Sequence, residues 1–229
     1  MEQKIIINSK KQKLIGLLRK NESQTLFIIC HGFQGSKDDY CIKELALKLY
    51  LKNYSTFRFS FSEHGEFNIV QEVEDLNAVV NYFTQQFTSI ILVGGSLGAL
   101  ITSITAIKNN KVSKLITING FFYPFFGIAW RYYRLILIAL LSFPFLKTIR
   151  NISRFYFDNF KPNKIKVPTL IIYGNQDRIL NPNHQSRKFF SNLITAKEIK
   201  QIDSIDHDLS KKEYVQVTVE EIVKWLNKY

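Results

Sequence analysis

A chain of 229 residues is long enough for one large core and short for two catalytic domains. Its two cysteines, Cys30 and Cys41, lack C-x-x-C spacing, which excludes a disulfide framework and suits a reducing compartment. The formal net charge of +12 invites a nucleic-acid reading, but the lysines are spread over turns and helix ends without a basic helix interleaved with stacking aromatics, so no nucleic-acid partner is expected.

The N-terminus, Met1 to Asn8, carries no basic n-region, long apolar core or small-residue cleavage site, and a cytoplasmic location is the expectation. Ile5–Ile7 and Lys13–Leu18, joined around Asn8 to Lys11, read as an antiparallel hairpin. Thr25–Cys30 is an apolar strand that runs into His31, Gly32 and Phe33. Ser36 with Asp39 three residues on reads as a capping pair before a helix burying Ile42, Leu45, Ala46 and Leu49. Phe57, Phe59 and Phe61 alternate with Arg58 and Ser60 as in a strand. Ile69, Val73, Leu76, Val80 and Phe83 recur at helical spacing, with Glu72, Glu74 and Asp75 expected on the other face.

The apolar run Ser89–Val93 then gives way to Gly94, Gly95, Ser96, Leu97 and Gly98, followed by a helix-compatible stretch to Lys108. A G-x-S-x-G pentapeptide between strand and helix is the context of a nucleophile elbow: the glycines let the backbone turn sharply and push the serine hydroxyl out at the sheet edge. Ser96 is the candidate nucleophile. Val112–Asn119 reads as a further strand. Pro168–Tyr173 is a continuous apolar run, hence a buried parallel strand, and it empties into a polar turn containing Asp177. Ala196–Ile202 is a short strand ahead of the polar loop Asp203–Ser210, which holds His207. Val215, Val219, Ile222 and Leu226 line one face of a closing helix. Strands alternating with helices imply an α/β fold with a mostly parallel central sheet flanked by helices.

A serine nucleophile needs a base, and the base needs a group to orient it. Of the four histidines, His31 and His64 precede the elbow, His184 starts a helix, and His207 follows a strand in a polar loop and fits best. Asp177, at a strand's C-terminal end, is the expected acid; an ordinary Asx-type turn is its alternative reading, and Asp206 is the reserve orienter. Backbone N–H groups of Phe33 and Leu97 are the expected oxyanion donors. His31 reads as a ring that props its loop, and Cys30 reads as core. No H-E-x-x-H or Cys/His cluster is present, so neither metal nor cofactor is expected.

The stretch from Thr25 to about Lys108, with His31 to Asp39, Phe57 to Gly65 and the elbow, resembles α/β-hydrolases of the serine-esterase type. It is similar to bacterial cinnamoyl or feruloyl esterases and to serine aminopeptidase and monoacylglycerol lipase relatives, and the resemblance resumes from Pro168 to Leu209. The order Ser96, Asp177, His207 is that of the triad in this fold. The resemblance implies one α/β-hydrolase domain over 1–229 that cleaves carboxylic esters of small molecules. Acyl-thioester or lysophospholipid hydrolysis is the alternative, and a non-catalytic docking protein is the alternative of another class. Where relatives often have Gly-His-Gly, this chain has Glu63, His64 and Gly65.

The segment about 120–164 breaks the alternation. It is aromatic at Phe121–Phe126, apolar over about twelve residues from Leu135 to Leu146, and ends in Lys147, Arg150, Arg154, Lys161 and Lys164. A membrane-spanning helix needs about twenty apolar residues, and Pro144 lies inside this run, so it is not expected to span. Within such a fold it resembles a helical lid inserted over Ser96, with Leu137 and Leu141 among the residues expected to wall an acyl pocket. Peripheral contact with an anionic membrane surface is a second reading of the same segment. The sequence is silent on oligomeric state.

Overall fold

The protein is described here by a computed structural model covering residues 2–10, 12–62, 68–123 and 153–229. An eight-stranded sheet forms its centre, with strands β1 (Gln3–Ser9), β2 (Gln12–Arg19), β3 (Thr25–Cys30), β4 (Ser55–Phe59), β5 (Ser89–Gly95), β6 (Val112–Ile118), β7 (Thr169–Gly174) and β8 (Lys197–Ile202). Their spatial order is β1-β2-β4-β3-β5-β6-β7-β8. The β1–β2 and β2–β4 pairs are antiparallel, and every pair from β4 to β8 is parallel.

Helices α1 (Tyr40–Tyr50), α2 (Ile69–Phe83), α3 (Leu97–Lys108), α4 (Ser186–Asn192) and α5 (Lys212–Leu226) cover both faces. One core layer joins α1 and α5 to the sheet through Leu45, Leu49, Val219, Ile222 and Trp225. The other joins α2, α3 and α4 through Leu76, Val80, Leu100, Ile104 and Phe189. Burial on both faces is why β3, β4 and β7 read as unbroken apolar runs or tolerate no exposed position. The mostly parallel α/β architecture expected from alternating strands and helices is therefore the one observed.

Several local expectations need correction. Glu72 and Asp75 do not lie on a solvent face of α2, because the helix is packed on two sides and both residues are buried. Asp75, at 0% exposure, accepts hydrogen bonds from the Ser9 hydroxyl (2.6 Å), the Ser62 N–H (2.8 Å), the Ser62 hydroxyl (2.7 Å) and the Gln71 amide (2.8 Å). It joins the first hairpin, the loop after β4 and α2 at one carboxylate. Arg58 is likewise buried in β4, where Glu2 meets its guanidinium with both oxygens at 3.1 Å and Asp38 at 3.0 Å. Ser36 and Asp39 do bond to each other, with Asp39 accepting the Ser36 N–H and hydroxyl, but the helix starts only at Tyr40 with Asp39 as its cap. The pair therefore ties the turn ahead of α1.

Replacing Asp75 by Ala leaves several buried donors without an acceptor and is expected to lower the unfolding free energy by about 3 kcal/mol, read from urea denaturation. Asp75→Asn keeps one acceptor oxygen and is expected to cost less.

Candidate active site

The last residues of β5, Gly94 and Gly95, carry the chain into Ser96, which caps α3 with φ 50° and ψ −121°. An L-residue in this region costs about 1–3 kcal/mol unless its surroundings hold it there. Here the Ser96 N–H donates to the Ile118 carbonyl (3.1 Å), and the Ser96 carbonyl accepts from the N–H groups of Phe121 (2.9 Å) and Ala99 (3.1 Å). The glycines are dictated by close approach. A Cβ on Gly98 would lie 2.5 Å from the His31 carbonyl oxygen, and one on Gly94 would lie 2.3 Å from that of Gly98. A Cβ on Gly32 would come within 2.9 Å of the Ser96 Cβ, so the turn after β3 rests directly on the elbow.

That turn closes through a hydrogen bond from the Gly35 N–H to the Gly32 carbonyl, with Gln34 at φ 56°. Phe33 stands half exposed at its tip. Leu97 is the first residue of α3, where the N–H has no intrahelical acceptor and points along the positive end of the helix dipole. His31 is buried behind the turn: Nδ1 meets the Gly32 carbonyl at 2.8 Å, and Nε2 accepts the Phe61 N–H at 3.2 Å. Both ring nitrogens are thus spent on backbone, the propping arrangement expected for this residue.

The structure brings Ser96, His207 and Asp177 together from three separate loops. His207 Nε2 lies 3.0 Å from Ser96 Oγ, and His207 Nδ1 lies 2.8 Å from Asp177 Oδ2. The side chains of His207 and Asp177 retain only 10% and 4% of their exposure. The second oxygen of Asp177 accepts the N–H groups of Ile179 (2.8 Å) and Leu180 (2.9 Å). One Asp177 oxygen thus forms an Asx-type turn, while the other meets the His207 ring. Asp206 is engaged elsewhere: its carboxylate accepts the Ser210 N–H (2.9 Å) and hydroxyl.

Burial of the His207 ring opposes its protonation, but the hydrogen bond and charge of Asp177, aided by the charges of Asp208 and Asp206, outweigh it and raise the pKa above the ordinary 6.5. In the cysteines burial itself raises the pKa. Burial, with Glu72 nearby, pushes the Cys30 thiol far up, and burial with Asp39 and Asp208 pushes Cys41 up to about 11. Both stay protonated at neutral pH and are poor nucleophiles.

Two polar residues that the sequence reading passed over join these loops. Asn119 follows β6 and bonds to the backbone of both the Asp177 strand and the His207 loop. Gln185 is buried; its Oε1 accepts the N–H groups of Phe122 (2.7 Å) and Tyr123 (2.9 Å), while its Nε2 donates to the Tyr123 carbonyl (3.0 Å). An Asn followed by Gly is ordinary turn chemistry in a sequence, and the one signal at Asn119 is its place at the end of an apolar strand.

His64, Leu137, Leu141 and the basic residues Lys147 and Arg150 lie outside the described residues, as does the stretch 124–152 of the expected lid. The flanks of that insertion are described. Phe122 stacks on Phe189 at 4.0 Å between ring centroids, and Phe160 stacks on Phe189 at 5.9 Å, so these aromatics pack the insertion's ends onto α4. A cavity of about 480 Å³ opens beside them, lined by Tyr123, Tyr156, Phe157, Phe160, Lys188 and Asn192 among others. None of Ser96, Asp177 and His207 lines it. Among the described residues no helix is long and apolar enough to cross a membrane, and no His, Cys, Asp and Glu group could hold a metal ion.

No family model and no curated protein matches the chain by sequence. Solved structures match it over its length. An esterase of Pyrococcus furiosus aligns with TM-score 0.76 and 17% identity, covering 100% of this chain and 93% of the other. Est1E from Butyrivibrio proteoclasticus, solved with ferulic acid bound, aligns with TM-score 0.76 and 18% identity, covering 98% of each. Alpha/beta hydrolase domain-containing protein 10 from mouse aligns with TM-score 0.71 and 16% identity, covering 99% of each. At such identities the similarity is one of fold.

Gly98→Ala is expected to destabilise the protein by about 1–3 kcal/mol, because the added methyl meets backbone carbonyls that cannot swing aside. Denaturant titration measures it, and an unchanged midpoint would contradict the close approach of the β3 loop to α3.

Proposed function

We propose that this chain, a protein of the α/β-hydrolase fold, is a serine hydrolase that cleaves carboxylic esters of small molecules. The observation that carries the proposal is the continuous hydrogen-bonded series from Ser96 Oγ through His207 to Asp177, with spacings of 3.0 and 2.8 Å. A serine hydroxyl is a weak nucleophile at neutral pH and needs a neutral imidazole within hydrogen-bond reach to take its proton. Asp177, hydrogen-bonded to Nδ1, keeps the proton on that nitrogen and leaves Nε2 free to accept.

In the first half-reaction Ser96 Oγ bonds to the ester carbonyl carbon while its proton passes to His207 Nε2. The carbonyl oxygen takes up the electron pair, and the N–H groups of Phe33 and Leu97 are assigned to stabilise it. Collapse of the tetrahedral adduct expels the alcohol, which receives the proton from His207, and leaves Ser96 acylated. Water then repeats the sequence: His207 takes its proton, its oxygen bonds to the acyl carbon, and Ser96 departs with the proton returned. The bonds and protons balance without a cofactor. The esterase names of the structural neighbours support an ester substrate, and the ferulic acid bound to Est1E makes aromatic acyl esters the first to assay.

Ser96→Ala is expected to abolish covalent labelling by a fluorophosphonate and to lower ester turnover by several orders of magnitude in a protein that still folds. Asp177→Asn is expected to cost about 10⁴ in kcat, through loss of the productive tautomer. Labelling at another serine, or a damaging Asp206→Asn beside a near-normal Asp177→Asn, would overturn the assignment. A panel of p-nitrophenyl, feruloyl and acyl-CoA substrates separates ester from thioester preference.

The raised pKa of His207 also sets the pH dependence. The base must be neutral, so kcat/KM is expected to rise with pH through a midpoint above 6.5. For stability the sign is the reverse: the contribution of the protonated ring beside Asp177 is complete below 6.5 and is lost as pH rises through the folded-state value. Measured profiles of kcat/KM and of unfolding free energy should move oppositely over that window.

A further inference from the structure

We propose that Asn119 is a positioning residue for the base, its side-chain amide holding the loop that carries His207 in register with the loop that carries Asp177. The inference rests on the functional reading above for its consequence in catalysis, while its geometry stands apart from that reading. Asn119 sits directly after β6, between the strand of the elbow and the strand of the acid. Its Oδ1 accepts the Gly174 N–H at 2.8 Å, at the end of β7 and three residues before Asp177. Its Nδ2 donates to the Asp206 carbonyl at 2.8 Å and to the carbonyl of His207 itself at 3.0 Å.

A primary amide offers an acceptor oxygen and a donor nitrogen, and here both are engaged, across two loops. The side chain is confined as well as satisfied. Asn119 is 2% exposed, its own N–H donates to the Ile172 carbonyl at 2.9 Å, and its φ of 45° lies in the left-handed region that Asn tolerates better than most residues. Elsewhere the loop it grips meets the body through the buried apolar side chains of Ile205 and Leu209 and, at its exposed start, through Asp203, which accepts from the Asn175 amide at 3.2 Å, while the Asp206 carboxylate bonds forward to Ser210. Apolar contacts of that kind set depth without fixing direction, whereas the hydrogen bonds of Asn119 tie the backbone of His207 to the strand that delivers its partner. Misplacing a catalytic group by about 1 Å can cost about 100-fold in rate, so a clamp at this point acts on chemistry as well as on folding.

The imidazole hydrogen-bonds Asp177 from the β7 loop and the Ser96 hydroxyl from the elbow, and the charges of Asp208 and Asp206 on its own loop act on it through space. Of the three carboxylates it is Asp177 that hydrogen-bonds the ring, and its contact raises the ring's pKa. Loosening the clamp should weaken that contact and let the titration fall towards the ordinary histidine value. A residue that merely satisfied buried backbone groups would affect stability and leave the ring's titration alone.

Asn119→Gly keeps the left-handed backbone and removes the amide. In the folded variant, the expected results are a fall of about 100-fold in kcat with KM for a short ester nearly unchanged, and an NMR titration midpoint for His207 below that of wild type. Wild-type kcat and midpoint in the folded variant would overturn the proposal, as would reduced stability with both unchanged. If Asn119→Gly does not fold, Asn119→Asp takes its place. It is nearly isosteric, keeps the acceptor for Gly174 and turns an oxygen towards the two loop carbonyls, so the same loss of kcat is expected and wild-type kcat is again the contrary outcome. Fluorophosphonate labelling of the wild type separates the two levels of inference. If Ser96 is not labelled, the hydrolase reading fails, while the ring titration in Asn119→Gly still decides whether the amide holds His207 against Asp177.

Discussion

The backbone of Ser96 occupies a conformation that an L-residue adopts only under constraint, and the architecture around it can be read as the set of contacts that impose it. The N–H of Ser96 is held by the end of β6, and its carbonyl is held by the chain leaving β6. The helix that begins at Leu97 lies so close to the β3 exit that only glycine fits at position 98, and its own first turns leave no space for a side chain at position 94 of the preceding strand. Three strands in the middle of the parallel sheet therefore share one point. A hydroxyl presented there cannot retreat into the core, because relaxing its backbone would break bonds to two neighbouring segments.

The other groups of the site arrive from the same edge of the sheet. In open parallel sheets, loops at the carboxyl ends of the strands carry the chemistry, since the strands converge there and the helices leave room. The turn after β3, the elbow after β5, the Asp177 turn after β7 and the His207 loop after β8 all obey this rule. The interaction that aligns the last two is distributed over both oxygens of Asp177: one fixes its own turn through the N–H groups of Ile179 and Leu180, and the other faces His207. A carboxylate anchored in this way reaches the imidazole already oriented, with little rotamer freedom left to lose.

Buried polar side chains recur wherever loops must be joined without a strand pairing to join them. Asp75 ties the first hairpin to α2 and to the loop after β4, Arg58 ties β4 to Glu2 and Asp38, and Gln185 ties the start of the insertion to the approach to α4. Each is satisfied by several partners, as burial of a polar or charged group requires. These residues hold the periphery of the site, and their burial is the reason a basic chain carries charge into its interior.

Periodicity and punctuation made most of the frame legible from the chain alone. The bounds of β3, the span and core face of α2 and the buried set of α1 follow from apolar spacing, and the elbow at Ser96 from glycines that interrupt it. The candidacy of Asp177 and His207 followed from their places at strand ends. Tertiary structure alone decided the rest. It buried Glu72, Asp75 and Arg58, which an amphipathic pattern assigns to solvent; it turned Asp206 onto Ser210 and Asp177 onto His207; and it made Asn119 a bridge between two loops more than 50 residues away along the chain. The division has one physical cause. Apolar periodicity records which face of an element is removed from water, a property of the element itself, whereas the partner of a polar side chain is chosen by distance in space, and sequence spacing carries no record of that distance until the sheet has brought the loops together.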